Sequence, residues 1–196
     1  IADGELYVAQ EQKGFQSRNR LTLAFLHRVA AKLGPLPDAE FVVDTSDGHA
    51  EIETPTFVIA KFPSSTGGIL YPDFSSYAWP ESECPSEVLG AHCWRRAVRS
   101  ILNSTPAWEA KSSGIFWRGA ATSVYRRQVL PVVAELPGAN VSFMEWEVSE
   151  EGRQRVRGGT CVPLQEWCNF QFLANLPGNT MTLSLKYRLF CGSGVL

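Results

Sequence analysis

The stretch "FLANLPGNTMTLSLKYRLFCGS", residues 172–193, decides how this chain is read. An apolar run, FLANL, gives way to PGNT and then to MTLSLKYRLF. That order predicts a strand, a tight turn and a helix over 181–190. In such a unit the helix N-terminus faces the carboxyl edge of the sheet, where open α/β folds bind ligands. Gly178 lets backbone approach a ligand closely. Free N–H groups of a first helical turn, together with the helix dipole, attract an anion. Thr180 and Thr182 add hydroxyl donors. The same residues also suit a plain capped helix, with Asn179 or Thr180 as the cap. Both readings stay open on this stretch alone.

A second segment, "FWRGAATSVYRRQVL" (116–130), has the same form. A strand ends near Trp117, Arg118 and Gly119 follow, and Arg126 and Arg127 stand at a helix start. Arginine there opposes the helix dipole, a placement that makes more sense beside an anion. Its planar fork grips phosphate bidentately. Two surface arginines are the bland alternative. In "VVDTSDG" (42–48), Asp44 and Asp47 follow a short apolar run. A carboxylate just past a strand end can serve as a general base, although Asp and Ser are also ordinary turn residues. "YPDFSSYAWP" (71–80) gathers Tyr71, Phe74, Tyr77 and Trp79, a surface for a sugar or peptide or a piece of satellite core.

Outward from these segments, strands and helices alternate. "LTLAFLHRVAAKLG" (21–34) has helical spacing, with Gly34 as a stop and Pro35 beyond it. Strands are expected in "AEFVVDTSD" (39–47), "TFVIAKF" (56–62), "IFWRG" (115–119), "VSFMEW" (141–146) and "NFQFLANL" (169–176). "EVLGAHCWRRAVRSIL" (87–102) and "RRQVLPVVAEL" (126–136) read as helices. "GGILYPDFSSYAWPESECP" (67–85) and "SEEGRQRVRGGT" (149–160) read as loops. The alternation points to α/β with parallel sheets. The polar "NSTPAWEAKSSG" (103–114) marks a boundary, giving lobes over 1–108 and 109–196.

The 196 residues suffice for a sizeable core, and a net charge of -2 argues against a general nucleic-acid binder. No apolar run approaches membrane-spanning length. The beginning, "IADGELYVAQ", is not a signal peptide, and the end, "CGSGVL", breaks off as a strand starts; an internal fragment is expected. The five cysteines include no CxxC pair and only three histidines accompany them, so zinc is not expected. Asn103-Ser104-Thr105 and Asn140-Val141-Ser142 are glycosylation sequons, which lean towards a secretory chain.

Together the segments resemble the capsule-associated-protein and Rumi-type protein O-glucosyltransferase family, also called lipopolysaccharide-modifying-like. "LPDAEFVVDTSD", "YPDFSSYAWPE", "FWRGAATSVYRRQVL" and "CNFQFLANLPGNTMTLSLKYRLFCGSGVL" match its motifs in order over almost the whole chain. The resemblance implies a GT-B enzyme of two Rossmann-like lobes, the second incomplete here. It implies inverting transfer of glucose or xylose from a UDP-sugar to a hydroxyl of a protein or glycan, in the endoplasmic reticulum or Golgi lumen, without a metal. By the match, Asp47 is the catalytic carboxylate. Arg118, Gly119, Ser123, Arg126, Gly178, Thr182 and Lys186 fall on the nucleotide-sugar side. Tyr71, Phe74, Tyr77 and Trp79 fall on the acceptor side, and Cys168 and Cys191 on a family disulfide. Ser184 stands where many members carry Arg. A non-catalytic glycan- or protein-binding relative is the alternative.

Overall fold

The structure is a computed structural model that describes all residues except 9–15, 35, 49–54, 89 and 149–153. The chain divides into two compact units, Ile1–Tyr77 and Ala78–Leu196.

In the first unit, helix α1 (Gln16–Leu33) begins five residues before the apolar-periodic stretch. It ends at Gly34, whose φ of +83° lets its N–H reach the carbonyl of Ala30 at 3.1 Å. Gly34 is the stop the sequence predicts, and Pro35 beyond it lies outside the described residues. Strands β1 (Val42–Asp44), β2 (Thr56–Val58) and β3 (Ile69–Leu70) form a parallel sheet in that order. The third strand corrects the expectation of loop throughout 67–85. Gly67 and Gly68, with φ near +70°, turn the chain so that Ile69 and Leu70 pair with Phe57 and Val58. A 3-10 turn, Phe74–Ser76, follows, started by the Asp73 carboxylate accepting from the Ser75 N–H at 2.9 Å. The rings of Phe41, Phe57 and Tyr71 meet edge to face at 5.1 and 6.4 Å.

The second unit is a parallel sheet with strand order β5-β4-β8-β9. Its strands are β4 (Ser112–Gly119), β5 (Asn140–Phe143), β8 (Phe170–Leu173) and β9 (Gly194–Val195). Parallel neighbours need crossovers. Helix α3 (Val124–Ala134) makes the one from β4 to β5. Side chains along β4 alternate between two faces, so Phe116 and Trp117 enter different cores. Phe116 packs with Leu173, α2 (Trp94–Ser104), α4 (Leu164–Trp167) and Tyr187. Trp117 packs with Leu130, Ala174 and Leu176. The sheet closes tightly at one end: a Cβ on Gly114 would sit 1.8 Å from the Gly138 carbonyl oxygen.

Three expectations are corrected here. The strand expected over 141–146 breaks after Phe143, and Trp146 opens a separate hairpin, β6 (Trp146–Val148) with β7 (Gln154–Val156). Strand β7 lies in a segment expected to be loop. Its pairing is favoured by the Arg155–Glu147 ion pair, 2.8 Å, directly across the hairpin. The helix expected over 181–190 shrinks to one turn, α5 (Leu185–Arg188). The Thr182 hydroxyl instead donates to the Leu176 carbonyl at 3.0 Å, a local bond that competes with helix formation.

Disulfides join Cys168 to Cys191 and Cys84 to Cys161. Buried Lys111 donates to the carbonyls of both Cys168 and Cys191, and burial lowers its pKa. No helix among the described residues is long and apolar enough to cross a membrane.

Candidate functional site

Each unit gathers polar side chains at the carboxyl ends of its parallel strands, where backbone groups emerge unpaired and functional loops attach. In the first unit, Asp44 closes β1 and accepts from the Ser46 N–H at 2.8 Å. Three residues on, Asp47 is ion-paired: Oδ1 accepts from Arg18 Nη1 at 2.9 Å, with the carboxylate side chain 36% exposed. Arg18 also donates to the Thr45 carbonyl at 3.2 Å, and its guanidinium lies 5.3 Å from the Phe74 ring centroid. Thr45 donates to Asn19 Oδ1 at 2.7 Å. The loop after β1 is thus fastened to α1 through two of its side chains.

Tyr71 follows β3 and brings its hydroxyl within 3.5 Å of Thr22 Oγ1. Burial raises the Tyr71 pKa; the Thr22 bond works against this, and the Asp73 and Asp44 carboxylates add to it. Phe74 is buried under α1 and Tyr77 is half-buried. Trp79, grouped with these aromatics in the sequence, belongs to the second unit and stacks on Tyr187 at 5.8 Å. Arg18, Asn19 and Thr22 were not singled out from the sequence. Their signal is spacing: they share one face of α1, and Asn19 and Thr22 are buried polar residues on a helix.

In the second unit, the turns after β4 and β8 come together. Ser123 caps α3, accepting from the Arg126 N–H at 3.2 Å, and its hydroxyl donates to the Pro177 carbonyl at 3.0 Å. The buried Arg126 guanidinium donates through Nε (3.2 Å) and Nη2 (2.9 Å) to the Leu176 carbonyl. Nη1 donates to the Ala120 carbonyl at 2.9 Å and the Thr122 hydroxyl at 3.1 Å. The same guanidinium sits 5.3 Å from the Trp117 ring centroid. A Cβ on Gly178 would stand 3.5 Å from Arg126 Nη2 and 3.1 Å from the Met181 carbonyl oxygen. Arg126 and the Gly178 turn therefore share one space.

Other predicted residues have different surroundings. Arg118 donates to the Asn140 carbonyl (2.8 Å) and to Asn140 Oδ1 (2.6 Å), and burial lowers its pKa. Gly119 makes room for the Trp117 indole, which a Cβ would meet at 2.6 Å. Lys186 Nζ lies 5.9 Å from the ring centroids of both Trp94 and Tyr187. The first-turn N–H groups expected after Gly178 are not presented as a helix terminus, because α5 starts only at Leu185.

Arg188 was not singled out from the sequence either. It is 1% exposed, lies 5.3 Å from the Trp167 ring centroid, and donates from Nη1 to Asn175 Oδ1 at 3.1 Å. Its buried Nε has no hydrogen-bond partner. Burial, and secondarily the Arg126 charge, lower its pKa to about 9. Elsewhere in this unit, buried His92 bridges Ser82 Oγ (2.7 Å) and Glu87 (3.1 Å), beside a cavity of about 360 Å³.

Compared with known proteins, the chain matches the model of glycosyl transferase family 90 over residues 1–196. No curated protein matches it.

Proposed function

Because the chain belongs to glycosyl transferase family 90, we propose that it serves inverting transfer of glucose or xylose from a UDP-sugar to a hydroxyl of a protein or glycan. Asp47 takes the proton from the acceptor hydroxyl, whose oxygen attacks the anomeric carbon opposite the departing UDP. Arg126, with Ser123, Gly178 and Thr182 around it, receives the developing charge on the diphosphate, with no metal required, and Lys186, over the Trp94 and Tyr187 rings, is assigned to the same nucleotide side. Tyr71 and Tyr77 are assigned to the acceptor side; Phe74, buried under α1, and Trp79, stacked on Tyr187, are engaged in packing. A GT-B frame is part of the proposal, as is a lobe division near residue 108. The packing of α2 against α4 and α5 is the observation that such a division has to accommodate. Two disulfides suit an oxidising compartment, and on that basis we assign the secretory lumen.

One observation carries the reading. The Arg126 guanidinium, from the first turn of α3, hydrogen-bonds the Leu176 carbonyl beside the Gly178 turn after β8, where an added Cβ would stand 3.5 Å from Nη2, a convergence that two unrelated caps have no reason to show. The test is calorimetry of UDP with wild type and Arg126→Lys. Lysine keeps the charge but loses the planar fork. UDP binding should weaken by roughly 1–3 kcal/mol, the scale of hydrogen bonds to charged groups. Unchanged affinity would leave Arg126 as a clamp on the Leu176 carbonyl and nothing more. The Arg18–Asp47 ion pair, which occupies the proposed base, and Ser184 in place of the arginine many members carry favour a non-catalytic relative.

A further inference from the structure

Two residues past β8 hold two guanidinium groups. Arg188 donates to the side chain of Asn175, and Arg126 donates to the carbonyl of the next residue, Leu176. Both arginines are buried. A buried charge is normally matched by an opposite charge or a full set of hydrogen bonds. Arg188 has neither. Its Nε is buried and unpartnered, and among the described residues no carboxylate pairs with it. Among the described residues, the ion pairs His92–Glu87, Arg155–Glu147 and Arg157–Glu145 of this unit do not include Arg188. A second buried donor, Trp117 Nε1, is also unpartnered, and its ring carries the Arg126 guanidinium. Two orphan N–H groups, Arg188 Nε and Trp117 Nε1, are therefore buried in this neighbourhood.

Like charges are not brought together under cover without a reason, because each weakens the other's hold on its proton. The physical complement of two guanidiniums is an oxyanion that accepts from both, and phosphoryl oxygens match the planar arginine fork. We propose that Arg188 is a second arginine of an oxyanion site shared with Arg126, and that the occupant is a diphosphate group. Asn175, half-buried, holds Nη1 in the anion's absence and is the side chain an anion displaces. The identity of the anion as a nucleotide-sugar diphosphate rests on the function proposed above; the existence of the site does not.

The test titrates the full chain with inorganic pyrophosphate, UDP and uridine, read by calorimetry and by thermal shift. Wild type should bind pyrophosphate and UDP but gain little from uridine. Arg188→Met should lose at least tenfold in affinity for both anions, and Arg188→Lys should lie between, keeping charge without Nε. Near-UV circular dichroism verifies that each variant is folded. Pyrophosphate binding that depends on Arg188, without UDP binding, would uphold the site and remove the UDP-sugar reading. Equal affinity of wild type and Arg188→Met for UDP and pyrophosphate would overturn the inference while leaving that reading intact. Failure of wild type to bind either anion would overturn the inference as well.

Discussion

Arg188→Met should leave the protein as stable as wild type or more so, not less. The pKa of Arg188 falls from an arginine's ordinary value to about 9, a change that corresponds to roughly 5 kcal/mol of disfavoured charge at about 1.4 kcal/mol per tenfold. Against it stand one hydrogen bond to Asn175, about 1.5–3 kcal/mol, and the contact with the Trp167 ring, about 1–2 kcal/mol. Methionine is flexible enough to fill the space, and apolar replacement of buried charge is often neutral or stabilising. The balance leaves the variant about 0–2 kcal/mol more stable, at about 2–4 °C in Tm per kcal/mol for a chain of this size. The sign can be checked by pH. Between about pH 9 and an arginine's ordinary pKa, the unfolded chain binds more protons than the folded one, so wild type gains stability as pH rises. Below pH 9 the penalty is fully present. The advantage of Arg188→Met should therefore be constant from neutral pH to about 9 and shrink above it. Thermal unfolding of both proteins across that range measures it. A variant destabilised by about 3 kcal/mol or more, the scale for breaking a compensated buried charge, would refute the view that this guanidinium is uncompensated.

Asp47→Asn keeps shape but cannot accept a proton; transfer by the enzyme should be abolished while UDP affinity stays at the wild-type value, and turnover near normal in a donor–acceptor assay would remove Asp47 as the base. Gly114→Ala should lower stability by about 1–3 kcal/mol or more, because its Cβ would press on a backbone oxygen 1.8 Å away that cannot swing aside; an unchanged Tm would show that β4 and the turn before β5 separate freely. Burial alone would raise the Glu87 pKa, but the bonds from His92 and the Cys84 N–H, with the His92 charge, bring it below the usual value of 4.5. Its stabilising contribution is thus present above pH 4.5 and lost as pH falls through the lower folded value, so acid unfolding of Glu87→Gln should be less steep than that of wild type.

The parallel α/β character was legible because strand and helix periods differ and alternate along the chain. The positions of β1, β2, β4, α2 and α3 follow from local apolar pattern. What was not legible depended on pairing partners. Ile69 and Leu70 have no strand signal beyond two residues; they become β3 only because β2 offers an open edge. The β6–β7 hairpin joins segments separated by a charged stretch, and no turn dipeptide announces it. Arg18 was invisible as a partner of Asp47 because the two are 29 positions apart. The helix after Gly178 was over-read: MTLSLKYRLF has the right composition, but Thr182 satisfies the Leu176 carbonyl instead of extending a helix.

That over-reading changes how the second unit can hold a negative charge. A long helix starting beside Gly178 would supply backbone N–H groups and a dipole. A single turn, Leu185–Arg188, supplies neither at Gly178. Positive charge must come from side chains, and two buried guanidiniums flank the same two residues, Asn175 and Leu176. By its resemblance to related sequences, Ser184 looked like the loss of an arginine. Arg188 lies four residues later, with its N–H on the Ser184 carbonyl at 3.2 Å. Positions four apart share a helix face, so a guanidinium missing at 184 is present one turn on. A last-turn cation near a helix C-terminus is an ordinary surface feature in sequence. Only burial, an orphan Nε and the neighbouring Arg126 separate Arg188 from that class.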